Sequence, residues 1–478
     1  MSYIVLKFGG TSVEDAAAMQ RTADIVASRR IPATGGLPAQ QPIVVTSAMS
    51  KVTDQLLAAA TASGRGDRNG ALAISARIRH RHLETAAKLF SSASAAGVHQ
   101  WIEAECNTLD ELLRGIAAVG ELTVRTTDLV ASFGERLSSR LLGEYYAERG
   151  LAGQHVDARL CIITDSQHGK AFPLPALIES RIAEHLLPHL IAGRVPILGG
   201  FIGATEAGIT TTLGRGGSDY TAALLGEALR ASAIEIWTDV DGILTADPRI
   251  CPDALRVRHI SFEEAAELAY FGAKVLHPAT ILPAVKKNIP VWVLNSKNPS
   301  SEGTKITALA PRSSSPFKSI AVKHRVTIVD VVASRMLMTH GYLRQIFEVF
   351  DRHKCPVDLV STSEVSVSLT VDSNQAIPAI AHDLSQLADV KYEGQKALLC
   401  MVGDDIRGQS GIAAQVFAAI KGVNVRMISQ GASEINMSFV IEEEDVPRAV
   451  QSLHAHFFAN PDPAVFDLSP RPSATAKL

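Results

Sequence analysis

The chain has 478 residues, of which 46% are hydrophobic and 20% charged, and its formal net charge is −3 at pH 7. This composition is typical of a folded protein of two or three domains and excludes a disordered chain. The slight negative charge argues against a protein that binds nucleic acid or anionic membranes.

Five widely spaced cysteines without a CxxC pair indicate a reducing compartment and give no sign of a zinc site. The N-terminus opens on a strand pattern rather than a leader, and no apolar run is long enough to span a membrane. We therefore expect a cytoplasmic protein with no membrane partner.

The first part of the chain, about 300 residues, alternates short β-branched runs with long helical patterns, which predicts an α/β domain with a mainly parallel sheet covered by helices. The predicted strands are YIVLKF, PIVVTSA, VPILGGFIG, IEIWTDV and VWVLN. The predicted helices are Val13–Ser28, Arg77–Ala93, Trp101–Gly115, Leu174–Ile191 and Ser218–Ala231. We assign residues 1–309 to this domain, which ends before the linker-like run APRSSSPF.

An internal repeat follows this linker. PVDLVSTSEVSVSLTVD and NVRMISQGASEINMSFVIE each predict strand, turn and strand, and each stands between two helical patterns. The first unit, residues 326–394, has the order βαββαβ. The second, residues 395–460, lacks its last strand, and we predict that strand 317–323 completes it, so that the units interlock. Residues 461–478 are rich in Pro, Ser and Ala and are predicted to be a disordered tail.

The motif KFGGTS lies where the first predicted strand ends. Lys7 is at the carboxyl end of the strand, which is where ligands bind in open α/β sheets. Gly9 and Gly10 allow backbone N–H groups to approach an anion closely. On this motif alone, a strand-to-helix turn capped by Thr11 or Ser12 remains an alternative.

Three further segments carry polar residues that could serve the same site. In TTTLGRGGSDYTAALL, Arg215 stands between glycines and is suited to clamping a carboxylate or phosphate, while Asp219 follows in the first turn of a helix, where it could also simply complement the helix dipole. IWTDVDGILTADPR leaves a strand into a polar loop, and FGAKVLHPAT places Lys274 in an apolar stretch. Lys274 alone could snorkel to solvent, and His277 is more typical of a capping or packing histidine.

Together these segments fit phosphoryl transfer without a P-loop. That reaction requires cations on the transferring group and good alignment more than a strong base. Lys7 and Lys274 would supply the charge. Asp219 would hold both lysines, or a Mg²⁺ ion through water.

In combination, KFGGTS, TTTLGRGGSDYTAALL, IWTDVDGI and FGAKVLHPAT closely resemble the aspartokinases of the amino-acid kinase family, and the repeat resembles a tandem pair of ACT domains of ferredoxin-like type. The resemblance covers nearly the whole chain. The run STSEVSVSL favours the lysine-sensitive subclass. The family's reaction converts ATP and L-aspartate into ADP and 4-aspartyl phosphate, the first step of lysine, threonine and methionine biosynthesis. Its Mg²⁺ is held mainly by the ATP phosphates, so no protein metal site is expected.

The resemblance also implies roles for individual residues. It makes Lys7, Asp219 and Lys274 catalytic. It assigns phosphate and nucleotide contacts to Lys7, Gly9, Gly10, Thr11, Gly216, Gly217, Thr238, Asp239, Asp247, Arg249 and Lys274. It assigns the aspartate pocket to Ser47, Thr53, Glu135, Arg215 and Ser218, with Glu135 on the substrate amino group and Arg215 on the α-carboxylate. One departure is Leu244, where lysine-sensitive relatives tend to carry a tyrosine near the nucleotide.

A regulatory role follows from the ACT-like repeat. The resemblance implies an amino-acid effector, L-lysine, bound by Met336, Tyr342, Leu343, Val357, Asp358, Ser363 and Glu364, and a homodimer or homotetramer assembled through the ACT domains. Without the family resemblance, the sequence pattern would make Leu343 and Val357 core residues and Glu364 an exposed hairpin residue. Two other functions stay open: a catalytically silent amino-acid-binding regulatory subunit, and a related kinase of another amino acid such as glutamate.

Overall fold

The computed structural model describes residues 2–32, 39–272, 280–332, 340–373 and 375–468. The chain divides into two compact units, Met1–Gly242 with Val275–Leu309, and Ile243–Lys274 with Ala310–Leu478. Among the described residues, no helix is both long and apolar enough to cross a membrane.

The strands up to Gly242 are β1 (Ser2–Phe8), β2 (Gln40–Thr46), β3 (Gly153–His155), β4 (Val195–Gly199), β5 (Ile202–Ala204), β6 (Thr210–Thr212) and β7 (Ala233–Thr238). The helices of this stretch are α1 (Ala16–Arg29), α2 (Val52–Gly64), α3 (Arg68–Leu89), α4 (Ser92–Val119), α5 (Val124–Glu148), α6 (Ala158–Cys161), α7 (Pro175–His185), α8 (Leu187–Ile191) and α9 (Gly217–Leu229). The second unit then contributes β8 (Arg256–Val257), β9 (His259–Ser261) and α10 (Phe262–Tyr270). The chain returns to the first unit with α11 (Leu282–Lys286), β10 (Val291–Asn295) and β11 (Thr304–Thr307).

The main sheet of the first unit has the strand order β3-β4-β2-β1-β7-β10-β11. All neighbours pair in parallel except β10 with β11. The central strands are buried along most of their length because helices cover both faces of a parallel sheet. The predicted mainly parallel α/β fold is confirmed.

Two predicted elements are divided in the structure. The run VPILGGFIG forms β4 and β5, separated where Phe201 adopts a left-handed φ of 65°. The helix predicted over Leu174–Ile191 forms α7 and α8, and Pro188 lies in the first turn of α8. A proline there lacks the N–H that a continuous helix would need. Helices α2 and α5 were not among the predicted elements.

The rest of the second unit consists of β12 (Phe317–Val332), α12 (Tyr342–Arg352), β13 (Val357–Thr362), β14 (Ser366–Asp372), α13 (Ile377–Leu384), β15 (Asp389–Gly403), α14 (Ile412–Ala419), β16 (Met427–Gln430), β17 (Asn436–Glu442), α15 (Val446–Phe457) and β18 (Phe466–Asp467). Its sheet has the order β13-β14-β12-β15-β17-β16.

Two long antiparallel strands join the βαββαβ repeats. The first part of β12 pairs with the second part of β15, from Ser319 opposite Val402 to Lys323 opposite Leu398. After a bulge, the rest of β12 pairs with the first part of β15 and, on its other side, with β14. Each long strand therefore serves both repeats, and the predicted interlocked pair is confirmed.

The compact units and the predicted domains divide the chain at different places. Residues 243–274 group with the second unit, in which Glu264 forms a buried ion pair with Lys318 at 2.9 Å and the Thr245 hydroxyl lies 2.8 Å from His454 Nε2. The beginning of the predicted disordered tail is ordered, since β18 pairs with β8 and the side chain of Phe466 is buried. Residues 469–478 lie outside the described residues.

Candidate active site

The candidate site lies at the carboxyl ends of neighbouring parallel strands in the first unit. Lys7, near the end of the central strand β1, is in register with Val45 of β2 and Ile236 of β7. Loops leaving these strands therefore meet beside Lys7, which is the usual position of a ligand site in an open parallel sheet.

Lys7 and Asp219 form an ion pair at this edge. The Lys7 Nζ lies 2.7 Å from Asp219 Oδ1, and each side chain is only 12% exposed. Asp219 is in the first turn of α9, where its carboxylate also complements the positive end of the helix dipole. The predicted catalytic pair is thus brought together from two segments that are distant in sequence.

The glycines after Lys7 keep the space beside its ammonium group free of side chains. The Gly9 N–H donates to the carbonyl of Trp237 at 3.0 Å, and a Cβ on Gly9 would lie 3.8 Å from Lys7 Nζ. A Cβ on Gly10 would lie 3.1 Å from the Ala48 carbonyl oxygen, so a side chain there would crowd the neighbouring loop. Thr11 follows in a short 3₁₀ turn, Gly10–Ser12.

Glu135 projects from α5 into this region and is only 3% exposed. Its Oε1 accepts the Ala48 N–H at 3.2 Å, while its Oε2 has no hydrogen-bond partner and no described cation forms an ion pair with either oxygen. Burial raises the pKa of Glu135 to about 8. An unpaired buried carboxyl of this kind is suited to receiving an ammonium group.

The remaining aspartate-pocket candidates are two serines and a threonine. The hydroxyls of Ser47, after β2, and Ser218, at the start of α9, lie 3.0 Å apart. Thr53 is partly buried near the start of α2. The two serines thus connect the strand loop near Glu135 to the helix that carries Asp219.

Arg215 occupies a turn between β6 and α9. Gly214 and Gly216 on either side have left-handed φ values of 77° and 73°, which residues with side chains rarely adopt. The Arg215 side chain is exposed and makes no ion pair with any described residue. Gly217 begins α9 directly after this turn.

The nucleotide candidates do not all belong to one unit. Thr238 ends β7 at the same sheet edge as Lys7, and its hydroxyl donates to the neighbouring Asp239 at 3.2 Å. Asp247 and Arg249 belong to the second unit, where they pair with each other at 2.5 Å and the hydrogen bonds from Arg249 lower the pKa of the Asp247 carboxyl. Lys274 lies outside the described residues.

One hydroxyl near the glycine turn, that of Ser296, was missed in the sequence, and it contacts Ser12 of the KFGGTS motif. Ser12 Oγ lies 2.8 Å from Ser296 Oγ, and Ser296 Oγ donates to the Thr238 carbonyl at 3.0 Å. This chain of contacts ties the turn after β1 to the ends of β7 and β10. Ser296 follows the predicted strand VWVLN directly, so the strand-end rule could have identified it.

Two of the effector candidates in the second unit, Asp358 and Tyr342, already have hydrogen-bond partners within the protein. Asp358 accepts the Lys323 ammonium at 2.7 and 2.8 Å and the Tyr270 hydroxyl at 3.2 Å. Tyr342 is 7% exposed and its hydroxyl donates to the Leu387 carbonyl, so this residue belongs to the hydrophobic core.

Ser363 and Glu364 are exposed in the turn between β13 and β14, and Ser363 Oγ accepts the Ser366 N–H at 3.1 Å. Leu343 is 41% exposed and Val357 is partly buried against the core. Met336 lies outside the described residues.

Comparisons with known proteins agree with this architecture. The amino acid kinase family matches residues 2–295, and the ACT domain matches residues 329–382 and 399–457. The chain is 39% identical to lysine-sensitive aspartokinase 3 of Escherichia coli K12, over 95% of this chain and 99% of that one. It is 38% identical to chloroplastic aspartokinase 1 of Arabidopsis thaliana, over 98% of this chain and 82% of that one.

The chain belongs to the aspartokinase family. Among solved structures, E. coli aspartokinase III with aspartate and ADP, described as the R-state, matches with a TM-score of 0.80 at 38% identity, covering 95% of this chain and all of that one. The same E. coli enzyme with lysine and aspartate, the T-state, matches with a TM-score of 0.81 at 38% identity, covering 95% of this chain and 99% of that one. An aspartokinase needs a phosphate site and a small acidic-substrate site side by side.

Proposed function

We propose that this aspartokinase transfers the γ-phosphoryl group of ATP to the side-chain carboxylate of L-aspartate, giving ADP and 4-aspartyl phosphate. The observation that carries the proposal is the Lys7–Asp219 ion pair at the carboxyl edge of the parallel sheet, next to the unpaired carboxyl of Glu135. Phosphoryl transfer requires a cation at the phosphate and a fixed acceptor, and this edge offers groups for both.

In this reaction one carboxylate oxygen of aspartate attacks the γ-phosphorus while the bond to the β–γ bridging oxygen breaks and ADP leaves with that electron pair. The attacking carboxylate is already ionised at pH 7, so no general base is needed. Lys7 stabilises the charge on the transferring oxygens, and Asp219 holds the Lys7 ammonium group in place.

Glu135 and Arg215 orient the acceptor in this proposal. Glu135 receives the substrate ammonium group, and Arg215 pairs with the substrate α-carboxylate. Ser47, Thr53 and Ser218 complete the aspartate pocket. Thr238, Asp239, Asp247, Arg249 and Lys274 contact the nucleotide, with Gly9, Gly10, Thr11, Gly216 and Gly217 beside its phosphates.

Mg²⁺ would be held mainly by the ATP phosphates. Among the described residues there is no group of three or more His, Cys, Asp or Glu side chains that could hold a metal ion, and Asp219, the carboxylate beside Lys7, already pairs with that lysine. Asp219 could reach the ion through water. The ion would neutralise phosphate charge during the transfer.

The direct test is hydroxamate formation from the acyl phosphate product in the presence of hydroxylamine. We expect purified protein to form aspartyl hydroxamate only with both ATP and L-aspartate, and to prefer aspartate over glutamate. A preference for glutamate would favour the related-kinase alternative. Absence of activity with any amino acid, in a protein that still binds lysine, would favour the regulatory subunit instead.

We further propose that L-lysine inhibits the enzyme through the first ACT repeat. The candidate effector positions surround the β13–β14 hairpin and the start of α12. Asp358 would receive an effector ammonium group, which must share or displace the ammonium group of Lys323. Inhibition follows if lysine binds a less active conformation more tightly than the active one.

Substitution of Glu364 by alanine tests the effector site. We expect Glu364→Ala to raise the lysine concentration for half-inhibition about tenfold, the usual effect of losing one charged hydrogen bond, with uninhibited kcat unchanged. Glu348→Ala removes a similarly exposed glutamate from α12 of the same repeat and serves as the control. Equal lysine sensitivity in wild type and both variants would contradict the role of Glu364.

We also propose that the protein is cytoplasmic and forms a homodimer or homotetramer through its ACT domains. Strands β13 and β16 are the outer strands of the second unit's sheet, and they carry Val360 and Ile428, which are 39% and 47% exposed. Exposed apolar side chains on these strands favour contact with another subunit. Light scattering with and without lysine would measure the oligomeric state.

A further inference from the structure

A buried carboxylate outside the aspartate pocket joins two turns of the first unit. Asp128 is only 2% exposed and lies on α5 about two helical turns before Glu135, so both project from the same face of the helix. Asp128 Oδ1 accepts the Thr212 hydroxyl at 2.6 Å, and Oδ2 accepts the Gly169 N–H at 2.9 Å. Oδ2 also lies 2.9 Å from His168 Nδ1.

These donors come from the end of β6 and from the turn at residues 168–171, which also contact each other directly. The Ala171 N–H donates to the Thr212 carbonyl at 2.9 Å. A Cβ on Gly214 would lie 3.4 Å from the Gly169 carbonyl oxygen, so the two backbones are close. Asp128 therefore fixes the end of β6 to the turn at residues 168–171.

Arg215 follows Thr212 by three residues in the glycine turn. Because both neighbours of Arg215 are glycines and its side chain has no ion-pair partner among the described residues, its own contacts do not fix its position. The turn is closed by the Gly217 N–H, which donates to the Gly214 carbonyl at 3.0 Å, so its placement in the site depends on its two ends. Helix α9 fixes one end, and Thr212, held by Asp128, fixes the other.

We propose that Asp128 is a positioning residue for Arg215, holding the turn so that the guanidinium group meets the α-carboxylate of the acidic substrate. The inference rests on the proposed role of Arg215 in aspartate binding. Asp128 itself does not touch the substrate, because its oxygens are buried and occupied by donors from Thr212, Gly169 and His168.

A carboxylate suits this position. Both oxygens of Asp128 face donors, and an ionised carboxylate can accept all of them. In Asp128→Asn, the amide oxygen keeps the Gly169 and His168 contacts only if the NH₂ faces the Thr212 hydroxyl, which must then turn from donor to acceptor and loses its bond to a charged group. The substitution keeps the shape of the side chain and removes one acceptor position.

The test uses full-length protein and two ligands, L-aspartate and its α-amide, which keeps the side-chain carboxylate but lacks the charge that Arg215 would bind. Calorimetry gives the ratio of the two dissociation constants for wild type, Asp128→Asn, Arg215→Ala and the double variant. We expect the preference for L-aspartate to fall about tenfold in Asp128→Asn, since a small misplacement of a binding group has effects of this size. The KM for ATP should stay within twofold of wild type.

A matched control separates positioning from stability. Asp110 is another poorly exposed carboxylate, which accepts Ser75 Oγ and Arg79 Nη2 at 2.5 and 2.6 Å. Asp110→Asn should lower thermal stability but leave the ligand preference at the wild-type value. If Asp128→Asn does not fold, Thr212→Val removes one donor and leaves the carboxylate in place.

The outcomes are distinct. The inference holds if Asp128→Asn reduces the preference for L-aspartate over its α-amide and causes no further reduction in the double variant with Arg215→Ala. It is overturned, with the proposed function intact, if Arg215→Ala loses preference while Asp128→Asn behaves like Asp110→Asn. If Arg215→Ala keeps the wild-type preference, both the role of Arg215 and the positioning role of Asp128 are wrong.

Discussion

Lys7→Ala should lower kcat about 10³-fold or more, because loss of one preorganised charge at a transferring phosphoryl group has effects of that order. The dissociation constant for L-aspartate should change less than about threefold, because Lys7 pairs with Asp219 and, in the proposed function, meets the transferring phosphoryl group rather than the aspartate. Single-turnover kinetics would measure the chemical step, and calorimetry would measure aspartate binding.

The alanine variant also leaves Asp219 without its ion-pair partner. Both side chains are 12% exposed, so we expect a loss of about 1 to 2 kcal/mol in the free energy of unfolding, below the cost for a fully buried pair. Lys297→Ala is a suitable control because it removes an exposed lysine of the same unit, paired with Glu14 at 3.7 Å. A Lys7→Ala enzyme with kcat within threefold of wild type would refute the catalytic role.

The position of Lys7 at the ligand edge of the sheet could be predicted from the sequence because strand ends obey a geometric rule. β1, β2, β4 and β7 are recognisable as apolar β-branched runs, and parallel strands bring their carboxyl ends to one edge. This rule places Lys7 at a ligand edge but does not place Asp219, which follows β6, a strand that pairs with β5 outside the parallel sheet. Their 2.7 Å contact could not be derived, because it depends on the position of α9.

Asp128 shows what such rules miss. Asp128 lies five residues after Thr123, whose side chain caps α5, and a carboxylate near the start of a helix is usually explained by the helix dipole. Its donors come from His168, Gly169 and Thr212, which no local pattern connects to α5. The contacts of residues 243–274 within the second unit could not be predicted for the same reason, since the buried Glu264–Lys318 pair joins segments with no shared motif.

The pH dependence of aspartate binding should be governed by Glu135. Its pKa of about 8 means that the side chain is mostly protonated at pH 7 in the absence of substrate. The substrate ammonium group requires the ionised carboxylate, so binding at neutral pH must release a proton. We expect KM for aspartate to fall about tenfold per pH unit as the pH rises toward 8, and to level off above it.

Glu135→Gln should remove this dependence. The amide cannot ionise, so KM should be about 10- to 100-fold above wild type at pH 8, as for the loss of a charged hydrogen bond, and nearly constant between about pH 6 and 8. Calorimetry in buffers of different ionisation enthalpy would detect proton release in wild type and none in the variant. Glu144→Gln, at an exposed position of the same helix, should keep the wild-type profile.

The contribution of Glu135 to the free energy of unfolding should fall as the pH rises, whereas aspartate binding should strengthen. The pKa of Glu135 is raised in the folded protein above its usual value of 4.5, so the folded state binds this proton more tightly than the unfolded chain does. The contribution of Glu135 is fully present below about pH 4.5 and is lost as the pH rises through 8. Burial thus raises the free energy of ionised Glu135 until a substrate ammonium group pairs with it.

A wild-type KM for aspartate that is flat from pH 6 to 8 would contradict the binding prediction, because it would show that Glu135 is already ionised in the free enzyme.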